Sequence, residues 1–148
     1  MAINYSTREA VESDYEFLFE LKKITEKQAI ANVFGWDETI QWQIHKQEWE
    51  QAKPLIIMVD GEDVGSVLIE QRSDEIYFGR FFILPSYQGQ GLGSAVMQNV
   101  IEMSQKQRLP IRLLYLQGNR VGALYRRHGF EVTSETDQFV YMQRPVSC

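Results

Sequence analysis

The chain has 148 residues, 44% hydrophobic and 24% charged, with a formal net charge of -5. That length suits one domain, residues 1–148, with a sizeable buried core, and the acidic balance is the reverse of what a nucleic-acid binder carries. The single cysteine, Cys148, stands last in the sequence, which excludes disulfide frameworks and thiolate metal sites within one chain and argues against a catalytic thiol, since chain ends hold no fixed geometry.

The opening Met1-Ala2-Ile3-Asn4-Tyr5 lacks the basic-then-apolar layout of a secretory signal. No apolar run reaches the ~20 residues of a membrane span. A cytoplasmic protein without a membrane partner is the expectation. Ile3 to Thr7 reads as a short edge strand. Ser13-Asp14-Tyr15-Glu16 has the spacing of a capping box, and Phe17, Leu18, Leu21 and Ile24 follow at helical intervals. Asp37 is placed to cap a second helix.

Pro54 to Val59 then reads as a strand, Asp60 to Asp63 as a turn and Val64 to Glu70 as the returning strand of a hairpin. Ile76 to Leu84 is a third, aromatic-rich strand. A Gly-rich loop, Gln88 to Gly93, opens into a helix whose buried stripe is Leu92, Val96, Val100 and Met103. Pro110 stops it, and Ile111 to Leu116 is the next strand. Arg120 to His128 is a short helix closed by Gly129, and a last hairpin joins Phe130–Ser134 to Phe139–Arg144.

The order is β-α-α-β-β-β-α-β-α-β-β. A helix between the Ile76 and Ile111 strands makes that pair parallel, while the hairpins are antiparallel. The fold class is α/β (α+β), a mixed central sheet with helices on both faces.

The segment richest in chemistry runs from Phe81 through Ile83-Leu84-Pro85 to Gln88-Gly89-Gln90-Gly91-Leu92-Gly93-Ser94. Amides at a helix start lack intrahelical partners and sit at the positive end of the dipole. Glycines let anionic oxygens approach them. The arrangement suits a pyrophosphate, although a bare strand-to-helix turn would use the same glycines. A dinucleotide fingerprint would need glycine where Ser94 stands, and an acidic residue ending the next strand, which Leu113 to Gln117 does not offer. A P-loop would need a lysine after the last glycine, and none follows Gly93.

Gln88, Gly91 and Gly93 do fit Q/R-x-x-G-x-G/A, and farther on Asn119, Ala123, Leu124, Tyr125, Gly129 and Phe130 form an N…ALY…GF element. In both elements, and in the hydrophobic-x-Pro before the loop, the chain resembles the GNAT N-acetyltransferase superfamily over most of its length. The resemblance implies a GNAT-like fold and an N-acetyltransferase, with acetyl-CoA as co-substrate and a primary amine, of a small molecule or a peptide, attacking the thioester directly. It implies that Gln88, Gly89, Gln90, Gly91, Leu92, Gly93 and Ser94 hold the pyrophosphate through backbone amides. A backbone N–H at Ile83, flanked by Phe82 and Leu84, would face the thioester carbonyl. Asn119 would contact or order the pantetheine region, and Tyr125 would protonate or hydrogen-bond the leaving sulfur. A homodimer is a common assembly in that superfamily.

Transfer to an amine also needs a base, because a lysine-like amine has a pKa of ~10.4. Glu70 and Glu75, on the middle strands, are the candidates, with ordinary exposed carboxylates as the alternative. Arg80 cannot be a base; it either meets a substrate carboxylate or is held in a structural pair. Trp36-Asp37-Glu38 would hold an ammonium by charge and ring face, or else be an N-cap beside a packed indole. No metal constellation is visible. The competing classes are a transferase for longer acyl chains, a non-catalytic acyl-CoA sensor and a nucleotide binder.

Overall fold

The computed structural model describes residues 3–146; Met1, Ala2 and Cys148, invoked above, lie outside them. The elements are β1 (Ser6–Glu9), α1 (Tyr15–Phe34), α2 (Glu38–Gln51), β2 (Leu55–Val59), β3 (Glu62–Gln71), β4 (Ile76–Ile83), α3 (Leu92–Gln107), β5 (Ile111–Leu116), α4 (Gly122–Arg127), β6 (Glu131–Glu135) and β7 (Phe139–Arg144). Their order is the one the sequence implies, with two added 3₁₀ turns at Glu12–Asp14 and Pro85–Tyr87. The strands form one sheet, β1-β2-β3-β4-β5-β7-β6. Its one parallel pair is β4 with β5, which α3 connects.

Two local expectations shift. The first strand starts at Ser6 rather than Ile3, and still pairs at the sheet edge with β2. The Ser13–Glu16 capping box does not form. Asp14 stands at the N-cap of α1 instead, its carboxylate accepting from the Val11 N–H at 2.8 Å and from both terminal nitrogens of Arg8 at 2.8 Å. An ion pair reaching in from β1 outweighs a neutral Ser cap, since hydrogen bonds to charged groups are roughly twice as strong. Asp37 does cap α2, accepting from the Ile40 N–H at 3.0 Å.

Adjacent strand residues point to opposite faces, and β2 shows where each layer lies. Ile57 packs in the large core with Leu92, Val96, Met97 and Val100 of α3, whereas its neighbour Ile56 packs with Leu18 of α1 and Trp49 of α2. Helices therefore cover both faces.

The middle of the sheet is irregular. Between β3 and β4, Ser66 pairs with Phe82 but Leu68 with Gly79, so β4 carries one extra residue. Arg80 takes the strain, with φ of 45°. Such bulges bend and overtwist a strand. Beside it, a Cβ on Gly65 would lie 2.4 Å from the Phe82 carbonyl oxygen, so the close approach requires glycine. On the other edge, β4 and β5 pair only at Ile76–Ile111 and Tyr77–Arg112. Beyond those rungs the strands part, and a cleft opens between them.

Candidate active site

The glycine loop leaves the end of β4 at the mouth of this split. One 3₁₀ turn follows Leu84, and the Gln88 side chain donates from Nε2 to the Ile83 carbonyl at 2.7 Å, pinning the loop to the strand. Gly89 and Gly91 have φ of 73° and 87°, yet a Cβ on either would meet nothing within 4 Å. Here the left-handed backbone, not space, demands glycine. Gly93 differs, since its Cβ would sit 3.2 Å from Leu124 Cδ2, so it lets α3 and α4 pack closely. Gly91 caps α3 without a side chain, which leaves the first-turn amides free to bind anionic oxygens. The loop thus fits a pyrophosphate. Gly89, Gly91, Gly93 and Ser94 line the cleft; Leu84, Gln90 and Leu92 do not, and the Leu92 side chain is buried in the core.

The cleft has a volume of ≈ 930 Å³ and runs between β4 and β5, floored by aromatic rings and roofed by α1 and α2. Phe82 and Ile83 line its β4 wall. The Leu84 N–H is bonded to the Val64 carbonyl of β3 at 2.8 Å. Successive strand amides point to opposite edges, so the Ile83 N–H faces the edge that β5 has vacated. Tyr125 projects from α4 into the same space. Its ring lies among Phe78, Tyr115 and Phe130, with centroids 5.7–6.2 Å away. It is 5% exposed, and its hydroxyl makes no hydrogen bond to a described residue. Burial, then the nearby Glu26 carboxylate, raises its pKa, so Tyr125 keeps its proton at neutral pH. Asn119 opens α4, its Oδ1 accepting from the Val121 N–H at 3.0 Å.

The remaining expectations separate. Glu70 and Glu75 do not line the cleft. They lie at the far ends of β3 and β4, Glu70 paired with Arg72 at 3.3 Å and Glu75 with Arg72 and Arg112 at 3.3 and 3.2 Å. Nor do Trp36, Asp37 and Glu38 line it. Asp37 is spent on its cap, and Glu38 accepts from the Trp36 indole at 2.8 Å and pairs with Lys23 at 3.0 Å. The indole packs near Phe19, with centroids 6.5 Å apart. Arg80 does line the cleft, but its guanidinium donates to the Ala52 carbonyl at 2.6 Å and meets Glu48 at 3.5 Å.

The roof brings residues that the sequence did not single out. Lys22, Glu26 and Glu48 line the cleft from α1 and α2, and Lys22 pairs with Glu48 at 3.4 Å. Half-buried Glu26 has its pKa pushed up to about 7, by burial first, with the Lys22 charge opposing and the Glu48 charge adding. A signal for Glu26 exists in the sequence. It follows Leu18 and Lys22, and precedes Ile30, at intervals of four on the stripe that turns inward. His45 also lines the cleft, but its Nε2–H donates to the Tyr15 carbonyl at 2.8 Å, and burial lowers its pKa. Among the described residues, no group of three or more His, Cys, Asp or Glu is placed to hold a metal ion, and no helix is long and apolar enough to cross a membrane.

Residues 50–132 match the acetyltransferase (GNAT) domain. The chain belongs to the GNAT acetyltransferase family. As a GNAT enzyme it is an acyltransferase with acetyl-CoA as its donor. Solved GNAT structures share its fold. PaiA N-acetyltransferase from Thermoplasma acidophilum, in complex with coenzyme A, superposes with a TM-score of 0.71 at 16% identity, covering 97% of this chain and 99% of that one. The ribosomal-protein-S18-alanine N-acetyltransferase of Escherichia coli gives 0.69 at 18% identity, over 98% and 96%. Campylobacter jejuni PseH, in complex with acetyl coenzyme A, gives 0.65 at 15% identity, over 97% and 100%. No curated protein is detectably similar in sequence.

Proposed function

We propose that this GNAT domain transfers the acetyl group of acetyl-CoA to a primary amine, of a small molecule or a peptide, by direct attack of the amine on the thioester. The observation that carries the reading is Tyr125, whose ring is enclosed by Phe78, Tyr115 and Phe130 and whose protonated hydroxyl, without a described partner, faces the cleft between β4 and β5. A departing sulfur in that cleft would supply the hydroxyl with an acceptor. The loop amides from Gly89 to Ser94 hold the donor's phosphates. The Ile83 N–H, aimed into the cleft, stabilises charge that builds on the carbonyl oxygen, a role worth about 2.7–4 kcal/mol in comparable sites. Asn119 orders the entry to α4 and so fixes where Tyr125 stands.

All three neighbours are N-acetyltransferases by name, and one of the names includes its acceptor, a ribosomal-protein alanine. Glu26, the cleft carboxylate without an ion pair to a described residue, suits a cationic acceptor. The cytoplasm, where acetyl-CoA is made and used, is the matching location. A homodimer belongs to the same proposal and is decided by light scattering.

The test is calorimetric titration with acetyl-CoA, followed by thiol release across a panel of alkylamines, amino acids and peptides. Binding with thiol release by one amine class supports the proposal and names its acceptor type. Binding with no release from any amine overturns the acceptor class.

A further inference from the structure

We propose that Glu26 is the base of this enzyme: its carboxylate receives the acceptor's ammonium in the cleft and takes the proton that the amine must lose before attack. The inference rests on the acyl transfer to an amine set out above, and it follows from elimination and position.

Two carboxylates line the cleft, Glu26 and Glu48. Glu48 is neutralised from two sides, by Lys22 of α1 at 3.4 Å and by Arg80 of β4 at 3.5 Å. Each of its two oxygens thus already faces a cation, Oε1 that of Lys22 and Oε2 that of Arg80, so an incoming ammonium would have to displace one of them. The cleft histidine, His45, has its Nε2–H tied to the Tyr15 carbonyl and its ring enclosed by Tyr15, Phe19 and Trp42. Glu26 makes no ion pair with a described residue, because the cation one turn away, Lys22, is engaged by Glu48. Glu26 and Asn119 line the same cleft, and Asn119 Oδ1 is committed to the Val121 N–H. Without an ion pair, the Glu26 oxygens keep lone pairs for an incoming N–H.

Its surroundings are consistent from every element packed there. Lys22 lies on α1, Glu48 on α2, Arg80 on β4 and Tyr125 on α4, and Glu26 is close enough to Tyr125 to raise the phenol's pKa. Base and acid therefore face one space from opposite walls. Burial keeps Glu26 near neutrality, where a general base works best. The proton count closes. The ammonium gives one proton to Glu26 and thence to solvent, and the nitrogen lone pair forms the C–N bond as the C–S bond breaks. Having passed the first proton to solvent, Glu26 takes the second from nitrogen after attack; Tyr125 gives its proton to sulfur and recovers one from solvent, so that one proton is released per amide and thiol formed.

Two measurements test it. In the first, ¹³C NMR of Glu-labelled protein without substrate follows the Glu26 carboxyl, assigned by its loss in Glu26→Gln, through a pH titration. A midpoint near 7 that falls on addition of butylamine supports the proposal; a midpoint near 4, or no response to butylamine, overturns it. In the second, Glu26→Gln, close in size and shape to the native side chain, is compared with wild type using butylamine, mostly protonated at neutral pH, and methoxyamine, mostly free base. Expected is a loss of about 10²–10³-fold in kcat/KM for butylamine, removal of the acidic limb of the pH profile, a much smaller loss for methoxyamine and unchanged acetyl-CoA affinity. Equal losses for both amines, or a retained acidic limb, overturn the role. If wild type turns over neither amine while the carboxyl titrates and responds as described, the acceptor class of the preceding section fails and the assignment of Glu26 as an ammonium site stands.

Discussion

Gly65→Ala offers a quantitative check on the bulge that shapes the cleft. The glycine is not in the left-handed region, so alanine is compatible with its backbone and would gain about 0.4–1 kcal/mol by restricting the unfolded chain. Against this, the new Cβ would lie 2.4 Å from the Phe82 carbonyl oxygen, where contacts under 3.0 Å are essentially never seen. The strands would have to part by about 0.6 Å, and the obstacle is backbone that cannot rotate away. Overpacking of this kind costs about 1–3 kcal/mol, so the clash wins, with a net loss of about 1–2 kcal/mol. For a chain of this size that lowers Tm by about 2–8 °C. The shift also moves the Ile83 amide, which follows Phe82, so kcat should fall with little change in acetyl-CoA affinity. Differential scanning calorimetry and steady-state thiol release measure the two effects. An unchanged Tm with wild-type kcat would show that β3 and β4 are not so tightly apposed, and the argument for the bulge as a positioning device would fail.

Tyr125→Phe removes a hydroxyl without a described partner, so stability should change little while kcat falls by about 10²-fold or more; parallel loss of acetyl-CoA affinity would assign the ring to packing. Gly91→Trp forces a bulky residue into a left-handed position on the cleft wall, and acetyl-CoA should then give no thermal stabilisation although the far-UV spectrum stays native. Retained stabilisation would remove the phosphate role of the loop. Asp14 has its pKa lowered chiefly by the Arg8 hydrogen bond. Its contribution is therefore complete above the unfolded value of about 3.9 and lost as pH falls through the folded one. Asp14→Asn should be less stable at pH 7 and show a shallower decline below about pH 4; identical acid titrations of stability would contradict the pairing.

What could be read in the sequence was what neighbouring residues decide. The glycine loop, its strand and its helix follow one another in the chain, so their chemistry shows in a short segment, and Asn119 to Tyr125 does likewise. Asp37 caps α2 because a cap is a local bond. Asp14 was harder, since its partner Arg8 arrives from another element and displaces the Ser13 cap that spacing favours. Glu26 was harder still. It joins Tyr125 and Asn119 on one cleft only once the chain has folded, and along the chain it reads as one more charged residue on a long helix. Glu70 and Glu75 were expected on the middle strands, but strand membership does not say which end of the strand faces the cleft. Both stand at the wrong end, where Arg72 and Arg112 hold them. Trp36 and Glu38 satisfied each other locally.

The two rungs that join β4 to β5 have a consequence for the chain as a mechanical object. The sheet consists of two leaves, β1 to β4 and β5-β7-β6, bound along a short spine of backbone at Ile76–Tyr77 and Ile111–Arg112. Elsewhere they adhere through the shared core, where Ile57, Val64 and Phe78 on one leaf cluster with Leu113 and Met142 on the other and with Tyr125 of α4. The second leaf begins just after Arg108, which ends α3 with φ of 57°. A break in the peptide chain there would cut no hydrogen-bonded strand, and the two pieces would carry complementary apolar faces. Such fragments should reassemble on mixing, and acetyl transfer should return only when they do, because the Ile83 amide and the Tyr125 phenol would then be on separate polypeptides.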